Sequence, residues 1–187
     1  MLPDNELSTH PVAASFLVPY RQYKLVDYEW GGIDLADTSK GMQVKIWTCK
    51  YVGNQIIITD GLISHIVLNI EGVTDLSFSF DLSMRPIVTY LANEHCYLWW
   101  YDTSVSKQIT SNLGIGITFP QLALDEHREV QTSNADVIFA YIKNHKAYMR
   151  LQRERFLIEH EIATAKRLIQ IGMMTNQRFG FALYNWN

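Results

Sequence analysis

The sequence predicts a mainly β protein in which short antiparallel strands form repeated hairpins, either partial propeller-like or sandwich, behind an extended N-terminal arm. From Gly41 onward, short runs rich in β-branched and aromatic residues alternate with turn residues at regular spacing. Gly53-Asn54, Ala92-Asn93-Glu94 and Asn144-His145 stand between pairs of such runs, where a tight hairpin needs residues that tolerate positive φ. One hairpin pattern also occurs twice at a constant offset, as a repeat of strand units would produce.

Residues 1–41 hold Pro3, Pro11, Pro19, Gly31-Gly32 and Gly41 among polar residues with no sustained period, which reads as a loop-rich arm. Phe16, Tyr20, Tyr23 and Trp30 are large anchors inside it. They suit an arm laid along another surface, because chain termini are ordered only when tied down, and they are candidate protein-interface residues.

Residues 42–187 read as the β domain, with strands predicted at 43–51, 55–60, 62–70, 75–81, 86–92, 95–102, 107–112, 136–143, 146–152, 155–162, 167–173 and 178–184. A helix is the rival reading for 158–174, which has few breakers and an Ala-rich centre. Alternation of Phe156, Ile158, His160 and Ile162 with polar neighbours favours two strands and a loop. Ile87 to Asn93 followed by Tyr97-Leu98 matches Ile138 to Asn144 followed by Tyr148-Met149, so the hairpins at about 86–102 and 137–153 are repeats. A looser copy runs from Val44 to Asp60. Two or three such units do not close a propeller ring, so a second sheet or other subunits must cover their edges.

Composition excludes several classes. With 48% hydrophobic and 19% charged residues, the chain is not wholly disordered, and a net charge of −3 gives no basic field for coating nucleic acid. The charge is split: residues 1–127 carry 7 basic and 14 acidic side chains, residues 128–187 carry 9 and 5. An acidic face of one copy meeting a basic face of another is one reading; two solvated faces is the other. Cys49 and Cys96 are too few for a disulfide framework or a four-thiolate zinc site. No signal-like N-terminus and no apolar run of about 18 residues is present, so the expectation is a soluble, non-membrane chain made in the cytoplasm.

No complete catalytic motif stands in the sequence. His160-Glu161 opens like a zinc-protease helix, but Thr164 stands where the second His belongs. Gly114-Ile115-Gly116 lacks the third glycine of a dinucleotide loop, and the acidic pair Asp125-Glu126 has no evident partner for glycoside cleavage. The expectation is no enzyme, no catalytic residues, no metal and no cofactor. Tyr97, Trp99 and Tyr101 share one face of a strand and Leu98 and Trp100 the other. One face is core; the other is packed by a second layer or, through Trp99, meets a protein or glycan. Arg150, Arg153 and Arg155 cluster nearby as candidate partners for carboxylates.

Trp30-Gly31-Gly32-Ile33-Asp34-Leu35-Ala36-Asp37-Thr38-Ser39-Lys40-Gly41, Ser79 to Tyr90, Leu98 to Thr103, Leu124 to Arg128, Ser133 to Tyr141, Gln152 to Phe156 and Ile171-Gly172-Met173 run in order across about 28–184. These segments resemble a family of virion structural proteins of tailed bacteriophages. The resemblance implies a β-rich, propeller-like virion subunit without catalytic residues; Leu151 stands where that family's arginine-rich segment would carry another Gln. The expected function is a non-enzymatic structural component of the virion tail (tip, hub or fibre attachment) in multiple copies, made in the host bacterial cytoplasm. Its expected partners are other tail proteins and copies of itself, with no nucleic acid and no membrane. The alternative is a host-surface glycan-binding module.

Overall fold

The computed structural model describes residues 20–21, 29–36, 43–81, 85–125, 136–173 and 179–185. They form a mainly β protein of four antiparallel sheets, each a meander in chain order. Sheet I is β1 (Tyr20–Arg21), β2 (Glu29–Ala36), β3 (Gln43–Val52), β4 (Gln55–Thr59) and β5 (Ser64–Asn69). Sheet II is β6 (Val73–Phe80), β7 (Pro86–Ala92), β8 (His95–Asp102) and β9 (Lys107–Ile115). Sheet III is β10 (Ile117–Leu124), β11 (Val137–Lys143), β12 (Lys146–Leu151) and β13 (His160–Thr164). Sheet IV is β14 (Arg167–Met173) and β15 (Phe179–Tyr184).

Three hydrophobic cores lie between the four sheets. Cys49, Ile56 and Ile58 of sheet I meet Leu76, Phe78, Val88 and Trp99 of sheet II. Cys96, Leu98 and Trp100 on the opposite face of sheet II meet Leu122, Phe139, Tyr141 and Phe156 of sheet III. Ala123, Ala140 and Ile142 of sheet III then meet Leu168 and Ile171 of sheet IV. The first full strands of successive sheets, β2, β6, β10 and β14, are neighbours. That is the placement of inner strands in adjacent propeller blades.

The repeat is structural as well as sequential. β7 and β8 begin at 86 and 95, and β11 and β12 begin at 137 and 146. Each of sheets I, II and III turns from its second long strand to its third through two left-handed residues: Gly53 and Asn54 (φ 56° and 63°), Asn93 and Glu94 (50° and 66°), Asn144 and His145 (52° and 59°). Two consecutive positive φ values make a type I′ turn, whose twist matches that of the strands it joins. Within the region 158–173 the chain forms two strands, β13 and β14, joined by a short link, and no helix.

Three elements differ from the sequence reading. Within the segment read as an arm, β2 pairs with β3 over eight consecutive positions, from Glu29 opposite Lys50 to Ala36 opposite Gln43. Strand β10 was not anticipated, because Pro120 lacks a ladder donor. The chain accommodates it at an irregularity, with the register broken between Thr118 and Gln121 and Phe119 at φ 53°. The strand expected at 155–162 is instead a 3-10 turn at Gln152–Glu154, then Arg155 and Phe156 with φ 55° and 56°, and extended pairing resumes only at His160. Burial of Phe156, 2% exposed and edge-on to Trp100 at 5.2 Å, pulls the chain out of the sheet there.

Candidate assembly surfaces

In each four-stranded meander the turn between the third and fourth long strands lies at the end opposite the type I′ turn. These outer turns are residues 60–63 in sheet I, 103–106 in sheet II and 152–159 in sheet III. Arg155, in the sheet III turn, donates from Nε (3.0 Å) and Nη2 (2.6 Å) to Oδ2 of Asp102, at the start of the sheet II turn. Gln152 Nε2 reaches Oδ2 of Asp81 at 3.3 Å, just past β6. The same Asp81 holds the Arg85 backbone N–H and Nε at 2.9 and 2.8 Å. Sheets II and III are thus tied at one end by charged and polar links.

Asp102 is nearly buried by its side chain, and its carboxyl is held below the usual range. The Ser104 hydroxyl, 2.6 Å from Oδ1, is the largest cause, with Arg155 adding to it against desolvation. Asp136 receives the Arg153 backbone N–H at 3.0 Å and its Nε at 3.5 Å, yet burial dominates and raises its carboxyl pKa.

Arg150 forms the third charged cluster, within sheet III. Its Nε donates to the Tyr141 hydroxyl at 2.9 Å, Nη1 to the Phe156 carbonyl at 3.0 Å and Nη2 to Oε2 of Glu159 at 3.1 Å. The Tyr141 hydroxyl in turn donates to Glu159. Burial pushes the Glu159 carboxyl up, but Tyr141, Arg150 and then Lys143 outweigh it and hold the pKa down. The link to the Phe156 carbonyl braces the left-handed turn, so this network supports the shape of the outer turn.

The sequence-predicted interface residues therefore fall into three groups. Arg150, Arg153 and Arg155 each have carboxylate partners within this chain. Trp99 is 8% exposed in the core between sheets I and II, and Trp100 is 3% exposed in the next core, so both faces of β8 are covered by a second layer. A sugar-stacking platform at Trp99 has no open ring face to use. Tyr20 lies on β1 opposite Gly31, and Trp30 on β2 opposite Cys49. Phe16 and Tyr23 lie outside the described residues.

Sequence reasoning missed Gln121, a buried side chain on β10. Its Nε2 donates to the carbonyls of Leu168 (3.3 Å) and Ile169 (3.1 Å), and its Oε1 accepts from the Ile171 N–H at 3.0 Å. Ser77 Oγ does the equivalent one sheet earlier, accepting the Leu122 N–H at 3.0 Å. A lone polar residue flanking an apolar run was the available signal.

Exposed aliphatic side chains recur on the outer turns: Leu62 and Ile63 in sheet I, Val105 in sheet II, Leu157 and Ile158 in sheet III, with Leu62 93% and Leu157 72% exposed. Single exposed aliphatics are ordinary, but their return at one topological position in three successive sheets is not.

Neither thiol is poised for chemistry. Burial raises the pKa of Cys49 and pushes Cys96 up to about 12. Among the described residues no group of three or more His, Cys, Asp and Glu side chains is placed to hold a metal ion. No protein-family model, curated protein or solved structure matches the chain.

Proposed function

We propose that the chain is a non-enzymatic structural subunit that assembles in several copies within a bacteriophage tail, at the tip, hub or fibre attachment. It is made in the host bacterial cytoplasm and is partnered by other tail proteins and by copies of itself. The assignment to a tail rests on the ordered segments from Trp30 to Met173 that resemble tail structural proteins. The assembly role rests on one structural observation: the exposed Leu62, Ile63, Val105, Leu157 and Ile158 at the same topological position, the turn between the third and fourth long strands, in sheets I, II and III. Aliphatic side chains on turns cost solubility in a free monomer and are stabilised when a partner covers them. The charged groups support the same reading, because Asp102 pairs with Arg155, Asp136 with Arg153 and Glu159 with Arg150, bracing the turns of sheets II and III that carry part of the rim.

Cryo-EM of purified particles tests the proposal. Several copies of a four-sheet density at the tail, with the 60–63, 103–106 and 152–159 turns against neighbouring density, are the expected result. Absence from the particle, or a location with those turns facing solvent, would refute it.

A further inference from the structure

We infer that the outer edge of β15 is a docking site for an extended strand of a partner subunit, which pairs antiparallel with β15 and sets a large apolar side chain beside Leu183. The inference rests on the reading that the chain works among other subunits, and it names where one of them binds and by what element.

Three observations carry it. First, β15 is the counterpart of β7 and β11. Gln121 and Leu122 of β10 stand opposite Ala140 and Phe139 of β11, and Gln170 and Ile171 of β14 stand opposite Ala182 and Phe181 of β15. The pairs Leu122–Phe139 and Ile171–Phe181 each face the preceding sheet. Ser77 and Phe78 stand opposite Thr89 and Val88 in the same way, with Phe78 and Val88 toward sheet I. Sheets II and III go on from this second strand to a third, β8 and β12, which pairs antiparallel with it. Among the described residues β15 pairs with β14 alone.

Second, the third strand makes one recurring contact. Tyr97 of β8 lies opposite Tyr90 and stacks on it, with ring centroids 5.1 Å apart. Tyr148 of β12 lies opposite Tyr141 and stacks on it at 5.9 Å. Leu183 follows Ala182 as Tyr141 follows Ala140 and Tyr90 follows Thr89, so Leu183 holds the place on which such a side chain is laid. It is half-buried at the margin of the third core, as are Met149 of β12 and Ile162 of β13. A strand along β15 with a large apolar side chain opposite Leu183 extends that core and removes more apolar surface from water.

Third, the edge carries no charge to turn a strand away. β9 bears Lys107 and β13 bears Glu161, side chains of the kind that discourage further pairing at the edges of sheets II and III. β15 contains no Lys, Arg, Asp, Glu or Pro. Main-chain hydrogen bonds to an open ladder hold an added strand, and its alternate side chains give selectivity. The occupant that fits is therefore an uncharged strand with large apolar residues at alternate positions.

A capped peptide, Thr-Val-Thr-Tyr-Thr-Val, tests this on the purified full chain by NMR titration. Saturable shifts are expected at the β15 amides and at the Leu183 and Met149 methyls. Binding to Leu183→Ala, with folding verified by circular dichroism, is expected to be about fivefold weaker. A peptide whose two central residues are replaced by proline cannot form the ladder and is expected to give no saturable shift. Absence of saturable shifts in the parent chain at millimolar peptide would overturn the inference, whether the edge stays empty or is already held by another part of the chain. So would equal binding of the proline peptide, unchanged binding to Leu183→Ala, or shifts confined to β5, β9 or β13. The titration uses the chain alone, so a chain absent from virions that still takes the peptide along β15 sinks the tail assignment and leaves this site standing.

Discussion

Gln121 is the side chain whose loss isolates how sheet IV is held. A two-stranded sheet is marginal by itself, so β14 and β15 depend on what fastens them to sheet III. Gln121→Met keeps most of the side-chain volume and removes all three hydrogen bonds to β14. The Ile171 N–H, in a residue 1% exposed, loses its acceptor, which costs about 1–3 kcal/mol; the buried Leu168 carbonyl adds about 1 kcal/mol. Ile169 is solvent-exposed enough for its carbonyl to find water. The total is about 3 kcal/mol, equivalent to roughly a hundredfold in an opening equilibrium. Native-state hydrogen exchange reads this directly: protection of the Ile171 amide should fall roughly a hundredfold, while amides of β8 change little, because the Gln121 side chain bonds to β14 and not to sheet II. Protection of Ile171 within a factor of about three of the parent, with an unchanged urea midpoint, would refute the reasoning.

Further consequences follow from the same structure. Glu159 has a folded pKa below its ordinary 4.5, so it contributes stability above that value that is lost as the pH falls through the lowered folded pKa. Urea midpoints measured from neutral pH into the carboxylate range should therefore fall less steeply in Glu159→Gln than in the parent, and parallel slopes would contradict this. Asn144→Val places a β-branched residue at φ 52° and should cost about 1–2 kcal/mol in chemical denaturation, whereas Asn144→Gly should be close to neutral. Trp99→Ala should lower stability by about 3–5 kcal/mol, as for a core aromatic, and a variant that melts like the parent would show that Trp99 is not packed between sheets I and II. Under the proposed assembly role, Leu157→Lys, at a 72% exposed position, should leave the melting temperature unchanged but reduce incorporation into particles, measured by immunoblot of purified virions.

How much was legible in the sequence depended on how local each cause is. The type I′ turns were visible because Gly53-Asn54, Asn93 and Asn144 answer a φ requirement set within two residues. The matched hairpins 86–102 and 137–153 were visible because alternation and turn chemistry repeat together. Strand β10 was hidden because Pro120 argues against a strand wherever a ladder donor is needed, and only the bulge removes that need. The turn at 152–159 was misread because the alternation of Phe156, Ile158 and His160 mimics a strand. Phe156 goes instead into a core with Trp100, a contact 56 residues distant in sequence.

The candidate site divides in the same way. A cluster of Arg150, Arg153 and Arg155 is plain in the sequence, as is the need of guanidinium groups for carboxylates. Which carboxylates they meet was not, since Asp102 lies 53 residues from Arg155 and Asp136 lies 17 from Arg153. Alternation likewise separates Ile56 and Ile58 from Ile57, and Trp99 from Trp100, because a strand presents successive side chains to opposite faces. It is silent on whether each face then meets another sheet or water. Trp99 and Trp100 both proved covered and Ile66 and Ile169 did not, because burial of a sheet face depends on how many sheets stack beyond it. That stacking is a property of the assembled array rather than of any window of residues.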